Sequence, residues 1–553
     1  MRLACVVLLS FVGRSLSEVF TAMADMELVL GAETQITNII EQYVQSEQRR
    51  LKALQQFAVE YEQRNREALG LGLDYVANPV NAYLLIKRLT MDWNHVERLM
   101  RNNMAEDFLA NITAHREQST AKFPSNEDLN GAATALMRLQ DTYRLDTRDI
   151  AEGRIIGARQ ADKMDAHACF QMGRTAYNQG DYYHTVMWMQ EAYNRYEHED
   201  PPTVYEQDIL EYLAFALYNQ GNLKRALALT KKLVQIAPEH PRAQGNVKWY
   251  EDMLTQDGIN PRDLSNLPPV NNPRNIDSGV PERDDYERLC RNEAIISPKQ
   301  TAKYYCYLKR DRPFLYLAPV RVEIILLEPL AVLFRDALSD HEIDVIKDLA
   351  TPRLARATVQ NSQTGELETA SYRISKSAWL KEEDHPVVAR INKRIDLMTN
   401  LNMDTAEDLQ MANYGLGGHY DVHFDHARKE ETNAFKGLGT GNRIATCLFY
   451  LTDVEAGGAT VFPLLNVAVF PEKGSALFWY NLYRDGEGDG RTRHAACPVL
   501  AGVKWVSNKW IHERGQEWRR PCALKPGEAN NERFVSDLAD YNKRYWGMSA
   551  PEH

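Results

Sequence analysis

The stretch Tyr414-Gly415-Leu416-Gly417-Gly418-His419-Tyr420-Asp421-Val422-His423-Phe424-Asp425 decides how this chain is read. A glycine turn leads into a run where a single residue separates His423 from Asp425. On a β-strand, alternation places both of these side chains on one face and Phe424 on the other. A second imidazole follows in Thr492-Arg493-His494-Ala495-Ala496-Cys497-Pro498. Two histidines and one carboxylate compose a facial triad, which holds Fe(II) and leaves coordination positions open for co-substrates. By itself the H-x-D pair also reads as a surface histidine beside a turn aspartate. His419, in the glycine turn, is not expected to be a ligand.

A cation beyond the second histidine gives the triad its meaning. In Lys504-Trp505-Val506-Ser507-Asn508-Lys509-Trp510, strand alternation groups Lys504 with Val506, Asn508 and Trp510, and Lys509 with Trp505 and Ser507. A lysine facing the interior is costly unless an anion meets it. The distal carboxylate of 2-oxoglutarate is such an anion, its keto-acid end chelating iron; an exposed lysine on an edge strand is the alternative. A barrel-like jelly roll would bring His494 and Lys504 to the interior that holds His423.

The length of 553 residues predicts several domains, and the composition, 44% hydrophobic and 25% charged, is globular. The net charge of −11, with no basic block to outweigh it, argues against nucleic acid. Arg2, the apolar run Leu3–Val12 and the small residues Ser15-Leu16-Ser17 read as a secretory signal cleaved after Ser17. No later run is long and apolar enough to predict a membrane span. In a secretory chain Asn111-Ile112-Thr113 is a glycosylation sequon. Of the seven cysteines, Cys5 lies in the signal, while Cys169 and Cys447 sit in apolar periodic runs as buried thiols. Cys290, Cys306, Cys497 and Cys522 are available for disulfides in an oxidising compartment, and spacing alone proves no pairing.

Apolar positions Ile36, Ile40, Tyr43, Leu51, Leu54, Phe57 and Tyr61 describe an amphipathic helix from Met26 to about Asn65, interrupted by Glu47. Packing within its own domain and a coiled-coil seam both fit that pattern. Helical periodicity resumes after the breaker Asn78-Pro79. Further on, Ala166, Cys169, Met172, Gly173, Ala176 and Gly180 recur as Gln207, Leu210, Leu213, Ala214, Leu217 and Gly221. This resembles the tetratricopeptide helix-turn-helix repeat, in about one and a half to two and a half copies. Its tyrosines, among them Tyr182, Tyr183, Tyr212 and Tyr218, either pack the hairpins or line a groove for an extended proline-rich peptide. Residues 256–285 carry five prolines without periodicity and read as a linker. Strand-like runs Val320–Leu327, Ala476–Tyr480 and Lys504–Trp510 then dominate, with helices at Asp340–Leu349 and His385–Thr399.

From His341 to Cys522 the chain resembles the catalytic region of the collagen prolyl 4-hydroxylase α-subunit family. The resemblance rests on Tyr372-Arg373-Ile374-Ser375-Lys376-Ser377-Ala378-Trp379, on Gly439-Thr440-Gly441-Asn442-Arg443-Ile444-Ala445-Thr446, and on Gly457-Gly458-Ala459-Thr460-Val461-Phe462-Pro463. It continues through His494–Leu500 and Trp505–Arg520, and upstream through Asp181-Tyr182-Tyr183-His184-Thr185 and Pro79-Val80-Asn81-Ala82. The resemblance implies iron at His423, Asp425 and His494, 2-oxoglutarate at Lys504 with support from Tyr414 and Thr460, and a proline pocket at Arg443, Tyr420 and Trp510. It further implies disulfides Cys290–Cys306 and Cys497–Cys522, ascorbate as the reductant that rescues oxidised iron, and a protein disulfide isomerase β subunit in an α2β2 tetramer. That partner would retain the chain in the endoplasmic reticulum lumen, since no Lys-Asp-Glu-Leu-type signal closes the sequence.

The expected fold is multidomain α + β. A signal (1–17) precedes an N-terminal all-α dimerisation domain (18–150) and a tetratricopeptide-like peptide-binding domain (151–255). The linker (256–285) and a connecting region with a disulfide (286–340) lead to a double-stranded β-helix, or jelly-roll, dioxygenase domain (341–522). The tail 523–553 has no account. The implied function is 4-hydroxylation of proline in X-Pro-Gly repeats of procollagen. Two alternatives stay open: a secretory hydroxylase of non-collagen proline-rich proteins, and a non-catalytic collagen-binding or chaperone subunit.

Overall fold

The computed structural model describes residues 18–101, 105–118, 122–274, 281–294, 296–360, 367–370, 372–431 and 434–523. The expected signal peptide and almost all of the tail fall outside the described residues. The chain forms two compact units: one is essentially Asp25–Pro124, and the other joins Phe20–Ala24 to everything from Ser125 onward.

The first unit is helical. The predicted amphipathic helix runs over Met23–Leu71, and of its 49 residues only Ala32 among the core positions is buried. Ile40 and Leu51 of the predicted stripe are more than half exposed, so much of its apolar face lies open in the single chain. Asn78 breaks the helical run as expected, and it does so as a cap: its side-chain oxygen accepts from the Val80 amide, and Pro79 starts the next helix. Asn111 is exposed on the helix Ala105–Gln118.

In the second unit, Ser125 and Asp128 form a capping box for the helix Asn126–Tyr143. The five helices Ala166–Asn178, Tyr182–Tyr196, Glu206–Asn219, Leu223–Ile236 and Ala243–Gln256 pack in succession as two and a half tetratricopeptide-like hairpins. Cys169, Met172, Ala176, Leu213 and Leu217, the residues that carried the repeat pattern, are in their shared core. Part of the proline-rich linker lies against this layer: the Asn222 amide donates to the carbonyl of Asn271, whose own amide donates back to Asn222.

The remainder is built around two principal antiparallel sheets, beside two short two-stranded ribbons, Ala456–Gly457 with Val499–Ala501 and Thr358–Gln360 with Leu367–Thr369. The larger, of nine strands, runs in the order Cys306–Lys309, Val320–Leu327, Leu330–Arg335, Ala476–Tyr480, Arg443–Tyr450, Lys504–His512, Leu409–Tyr414, Lys376–Leu380 and Ala355–Arg356. The smaller has the order Val467–Val469, Thr460–Phe462, His494–Ala496, Tyr420–His423. Helices Asp340–Ala350 and Pro386–Thr399 cover the outer face of the large sheet, where Ile343, Ile391 and Ile395 meet Phe334, Phe478 and Ile511. Inside, Tyr414, Tyr450 and Val506 meet Phe462 and Val467 of the small sheet.

Two expectations are corrected. The sheet begins upstream of residue 341: strand Leu330–Arg335 pairs with Ala476–Tyr480, so three strands of the supposed connecting region belong to the sheet. The disulfides Cys290–Cys306 and Cys497–Cys522 are not formed; Cys290 is bonded to Cys497. The helix Arg283–Cys290 packs on the small sheet, so Tyr286, Leu289 and Cys290 share a core with Ala459, Val461, Ala495 and Cys497. Cys306 and Cys522 remain exposed thiols, whereas Cys169 and Cys447 are buried thiols as predicted.

Candidate active site

The small sheet assembles the triad. His423 lies directly opposite His494 in the pairing of Tyr420–His423 with His494–Ala496, and Asp425 follows two residues past the end of the strand, outside the expected alternation. His423 Nε2 is 3.7 Å from Asp425 Oδ1, and His494 Nε2 is 3.6 Å from Asp425 Oδ2. One ligand atom from each of the three lies within 4.8 Å of the others.

Their surroundings suit a divalent cation. His423 Nδ1 donates to the Asp421 carbonyl at 2.7 Å and His494 Nδ1 to the Thr492 carbonyl at 3.0 Å, which leaves each Nε2 lone pair for a metal. Burial, with His494 alongside, drives the His423 imidazolium down to about 3. Burial opposes ionisation of Asp425, but the two imidazoles, Arg443 and the Thr446 hydroxyl outweigh it and bring the carboxyl down to about 2. At neutral pH His423 is therefore a neutral donor and Asp425 an anionic one, the states that metal binding requires. His419 is buried, with its Nδ1 unpaired, and lies outside the cluster.

Lys504 pairs with Tyr414 across the large sheet and is 1% exposed. Its Nζ donates to the Gly458 carbonyl at 2.6 Å and sits 4.7 Å from the centre of the Tyr414 ring. Burial lowers its pKa to about 7, with no charged neighbour among the described residues to offset the loss of solvent. Lys509, on the opposite face, is also buried and lowered to about 8 by desolvation, but Asp408, Glu382 and Glu407 pull the other way. The strand is central rather than an edge, and alternation separates the two lysines as the sequence predicts. Thr460 is buried and accepts from the Tyr450 hydroxyl at 2.8 Å.

Of the three expected proline-pocket residues, Tyr420 and Arg443 contact the triad, and Trp510 packs on Arg443. The Tyr420 ring stacks on His423 at 3.5 Å between centroids. Arg443 lies over Trp510 at 3.9 Å, pairs with Glu407, and reaches the Asp425 carbonyl at 3.3 Å. Close by, Phe424, His426, Phe435 and Asn442 help to line a cavity of about 760 Å3. In the helical layer, Tyr182 and Tyr212 join a set of edge-to-face rings through Tyr177 and Phe215, and Tyr218 packs on Phe215 and Tyr250. Tyr183 packs instead on His184.

Sequence reading missed Thr446, which donates to Asp425 Oδ2 at 2.7 Å, and Asn481, which donates to Thr446 at 2.9 Å. Alternation along Arg443–Tyr450 could have placed Thr446 inward, but nothing in sequence marks Asn481.

The family model for the 2OG-Fe(II) oxygenase superfamily matches residues 409–512, the span that holds all three ligands and Lys504. This part of the chain is a 2-oxoglutarate-dependent dioxygenase that works with Fe(II). Models for the prolyl 4-hydroxylase alpha-subunit N-terminal region and the prolyl 4-hydroxylase peptide-substrate-binding domain match residues 22–157 and 166–256. The chain is 60% identical to prolyl 4-hydroxylase subunit alpha-2 of Caenorhabditis elegans, over 96% of this chain and 97% of that one. It is 54% identical to subunit alpha-1 of the same organism, over 97% and 96%. With subunit alpha-1 of Homo sapiens it shares 46%, over 91% and 95%. The chain belongs to the prolyl 4-hydroxylase alpha-subunit family, and as an alpha subunit it is one chain of a complex.

Proposed function

We propose that the chain hydroxylates C4 of proline in X-Pro-Gly repeats of procollagen. The observation that carries this reading is the convergence of His423, Asp425 and His494 within 4.8 Å, in the same barrel interior as a buried lysine with no charged neighbour among the described residues. His423, Asp425 and His494 hold Fe(II). Lys504 receives the distal carboxylate of 2-oxoglutarate, supported by Tyr414 and Thr460. Bound Fe(II) with 2-oxoglutarate supplies oxygen activation, in which dioxygen and 2-oxoglutarate become succinate, carbon dioxide and the hydroxyl on proline. Tyr420, Arg443 and Trp510 orient the prolyl ring and keep water from it, and ascorbate restores iron oxidised in unproductive turnovers.

The half-buried aromatic set around Tyr182, Tyr212 and Tyr218 binds the extended peptide, because rings pack on proline and unfolded X-Pro-Gly chains are extended. The open apolar stripe of Met23–Leu71 serves dimerisation of two such subunits. Protein disulfide isomerase is the partner chain of an α2β2 assembly in the endoplasmic reticulum lumen, after removal of residues 1–17. There Asn111, exposed on its helix, carries a glycan. No helix among the described residues is long and apolar enough to cross a membrane.

The test compares wild type with His423→Ala and Lys504→Ala on a (Pro-Pro-Gly)-type peptide and on a non-collagen proline-rich peptide. Peptide-dependent succinate formation is abolished by His423→Ala, and Lys504→Ala raises the 2-oxoglutarate requirement. Wild-type behaviour of either variant overturns the role given to that residue, and a preference for the non-collagen peptide overturns the substrate.

A further inference from the structure

The second unit contains a segment from far upstream. Phe20–Ala24 is separated from the rest of that unit by a hundred residues of the first, yet it is built into the oxygenase side. Thr21 and Ala22 have no exposed surface and Phe20 is 9% exposed. Hydrogen bonds to both flanking elements hold the segment. The Leu416 amide donates to the Phe20 carbonyl at 3.0 Å, the Ala24 amide to Asn413 Oδ1 at 3.1 Å, and the Phe20 amide to Asp128 Oδ1 at 3.4 Å.

Two glycines are shaped around it. A Cβ on Gly415 would lie 2.0 Å from the Phe20 carbonyl oxygen and 2.4 Å from the Thr21 carbonyl carbon, which is backbone and cannot swing aside. A Cβ on Gly131 would lie 2.3 Å from the Phe20 ring. Gly415 does not have a positive φ, so its own backbone conformation does not demand glycine. The requirement comes from the segment packed against it.

The grip falls on both neighbours of Tyr414. Asn413 is fully buried; its oxygen takes the Ala24 amide while its nitrogen donates to the Lys504 carbonyl at 3.4 Å. Gly415 is in van der Waals contact with the segment, and Leu416 is bonded to it. Tyr414 itself pairs with Lys504 and carries the ring beneath its ammonium. From Gly415 the turn leads directly to Tyr420–His423, with the Gly418 amide donating to the Gly415 carbonyl at 3.0 Å.

We propose that Phe20–Ala24 is a positioning strap for the 2-oxoglutarate end of the active site, with Phe20 and Gly415 as the residues that set Tyr414 beneath Lys504. The inference rests on the assignment of 2-oxoglutarate to Lys504 and Tyr414 proposed above. A fixed geometry matters there because one buried ammonium must meet one carboxylate without solvent to absorb misalignment, and small displacements of such groups are costly. With the strap detached, the turn after Tyr414 loses a hydrogen bond and its packing partner, and the phenol ring is free to drift from the lysine.

The experiment uses the full-length chain assembled with its partner subunit and the variants Phe20→Ala, Phe20→Leu, Gly415→Ala and Lys504→Ala. Zn(II) replaces iron under nitrogen, and 2-oxoglutarate binding is read by calorimetry. The half-saturating 2-oxoglutarate and peptide concentrations are then read separately with Fe(II). Phe20→Ala and Gly415→Ala are expected to weaken 2-oxoglutarate binding by roughly tenfold while the peptide requirement stays within about twofold, and Phe20→Leu restores most of the loss. Unchanged 2-oxoglutarate affinity in Phe20→Ala overturns the inference, as does a parallel loss for 2-oxoglutarate and peptide. If Gly415→Ala does not assemble, the Phe20 pair decides alone. Lys504→Ala separates the two levels: if it leaves 2-oxoglutarate binding intact, the site assignment is what fails. If it weakens binding while Phe20→Ala does not, only the strap fails.

Discussion

On its outer face the nine-stranded sheet meets two helices through Phe334, Ile391, Phe478 and Ile511, each without exposed surface. On its inner face the same strands bury Lys504 and Thr446, both 1% exposed, among Tyr414, Tyr450 and Val506. The outer face gains about 1.5–3 kcal/mol for each large apolar side chain it buries. The inner face spends part of that gain on desolvated polar groups. Even charges follow this division. Lys509 on the outside is partly offset by Asp408, Glu382 and Glu407, whereas Lys504 on the inside has no charged neighbour among the described residues to counter its burial. A buried cation whose balancing charge comes from outside the protein belongs to a binding site, and one balanced from within belongs to the framework.

Truncating the framework should cost the most. Phe478→Ala is expected to lose about 3–5 kcal/mol of stability in chemical denaturation, with unchanged 2-oxoglutarate and peptide requirements in whatever fraction remains folded. A shift in those requirements would show that the two faces are not separable. Thr446→Val keeps the shape and removes the hydroxyl that Asp425 accepts from. It should lower iron affinity or activity by roughly 10- to 100-fold, with little change in thermal stability. A large stability loss with normal iron affinity would move Thr446 to the framework.

The remaining test concerns pH. The folded pKa of Lys504, about 7, lies below its unfolded value, so the unfolded chain binds more protons at alkaline pH. The destabilising cost of Lys504 is therefore full below about pH 7 and fades as pH rises toward the unfolded value. In the absence of 2-oxoglutarate, Lys504→Met should remove this rise from the stability profile, and saturating 2-oxoglutarate should flatten it in the wild type. A wild-type slope that survives in Lys504→Met assigns it to another group.

Local periodicity revealed a good share of this arrangement. Two-residue alternation was enough to set Lys504 apart from Lys509, because that relation stays within one strand, whereas Asp425 lies past the end of the strand that carries His423 and still meets it. The tetratricopeptide-like hairpins were legible for a similar reason, since each repeat packs on its sequence neighbours. What sequence concealed depends on long-range pairing. The upstream strands of the sheet and the bond between Cys290 and Cys497, 207 residues apart, required knowing which helix lies on which sheet. Asn481 reaches Asp425 only through Thr446, 35 residues earlier, and no composition or spacing foretells that.

The two imidazoles and the carboxylate of the triad are steadied by different kinds of support. His423 and His494 are each aimed by a main-chain carbonyl two residues earlier, at Asp421 and Thr492, while Asp425 depends on the Thr446 side chain. Backbone oxygens are present whatever amino acid occupies the position. Mutational drift around the centre can thus strip the carboxylate of its support with one substitution, while the histidines keep their alignment for as long as their strands persist. A lineage that loses this activity by erosion rather than by loss of a ligand has its weakest point on the aspartate side.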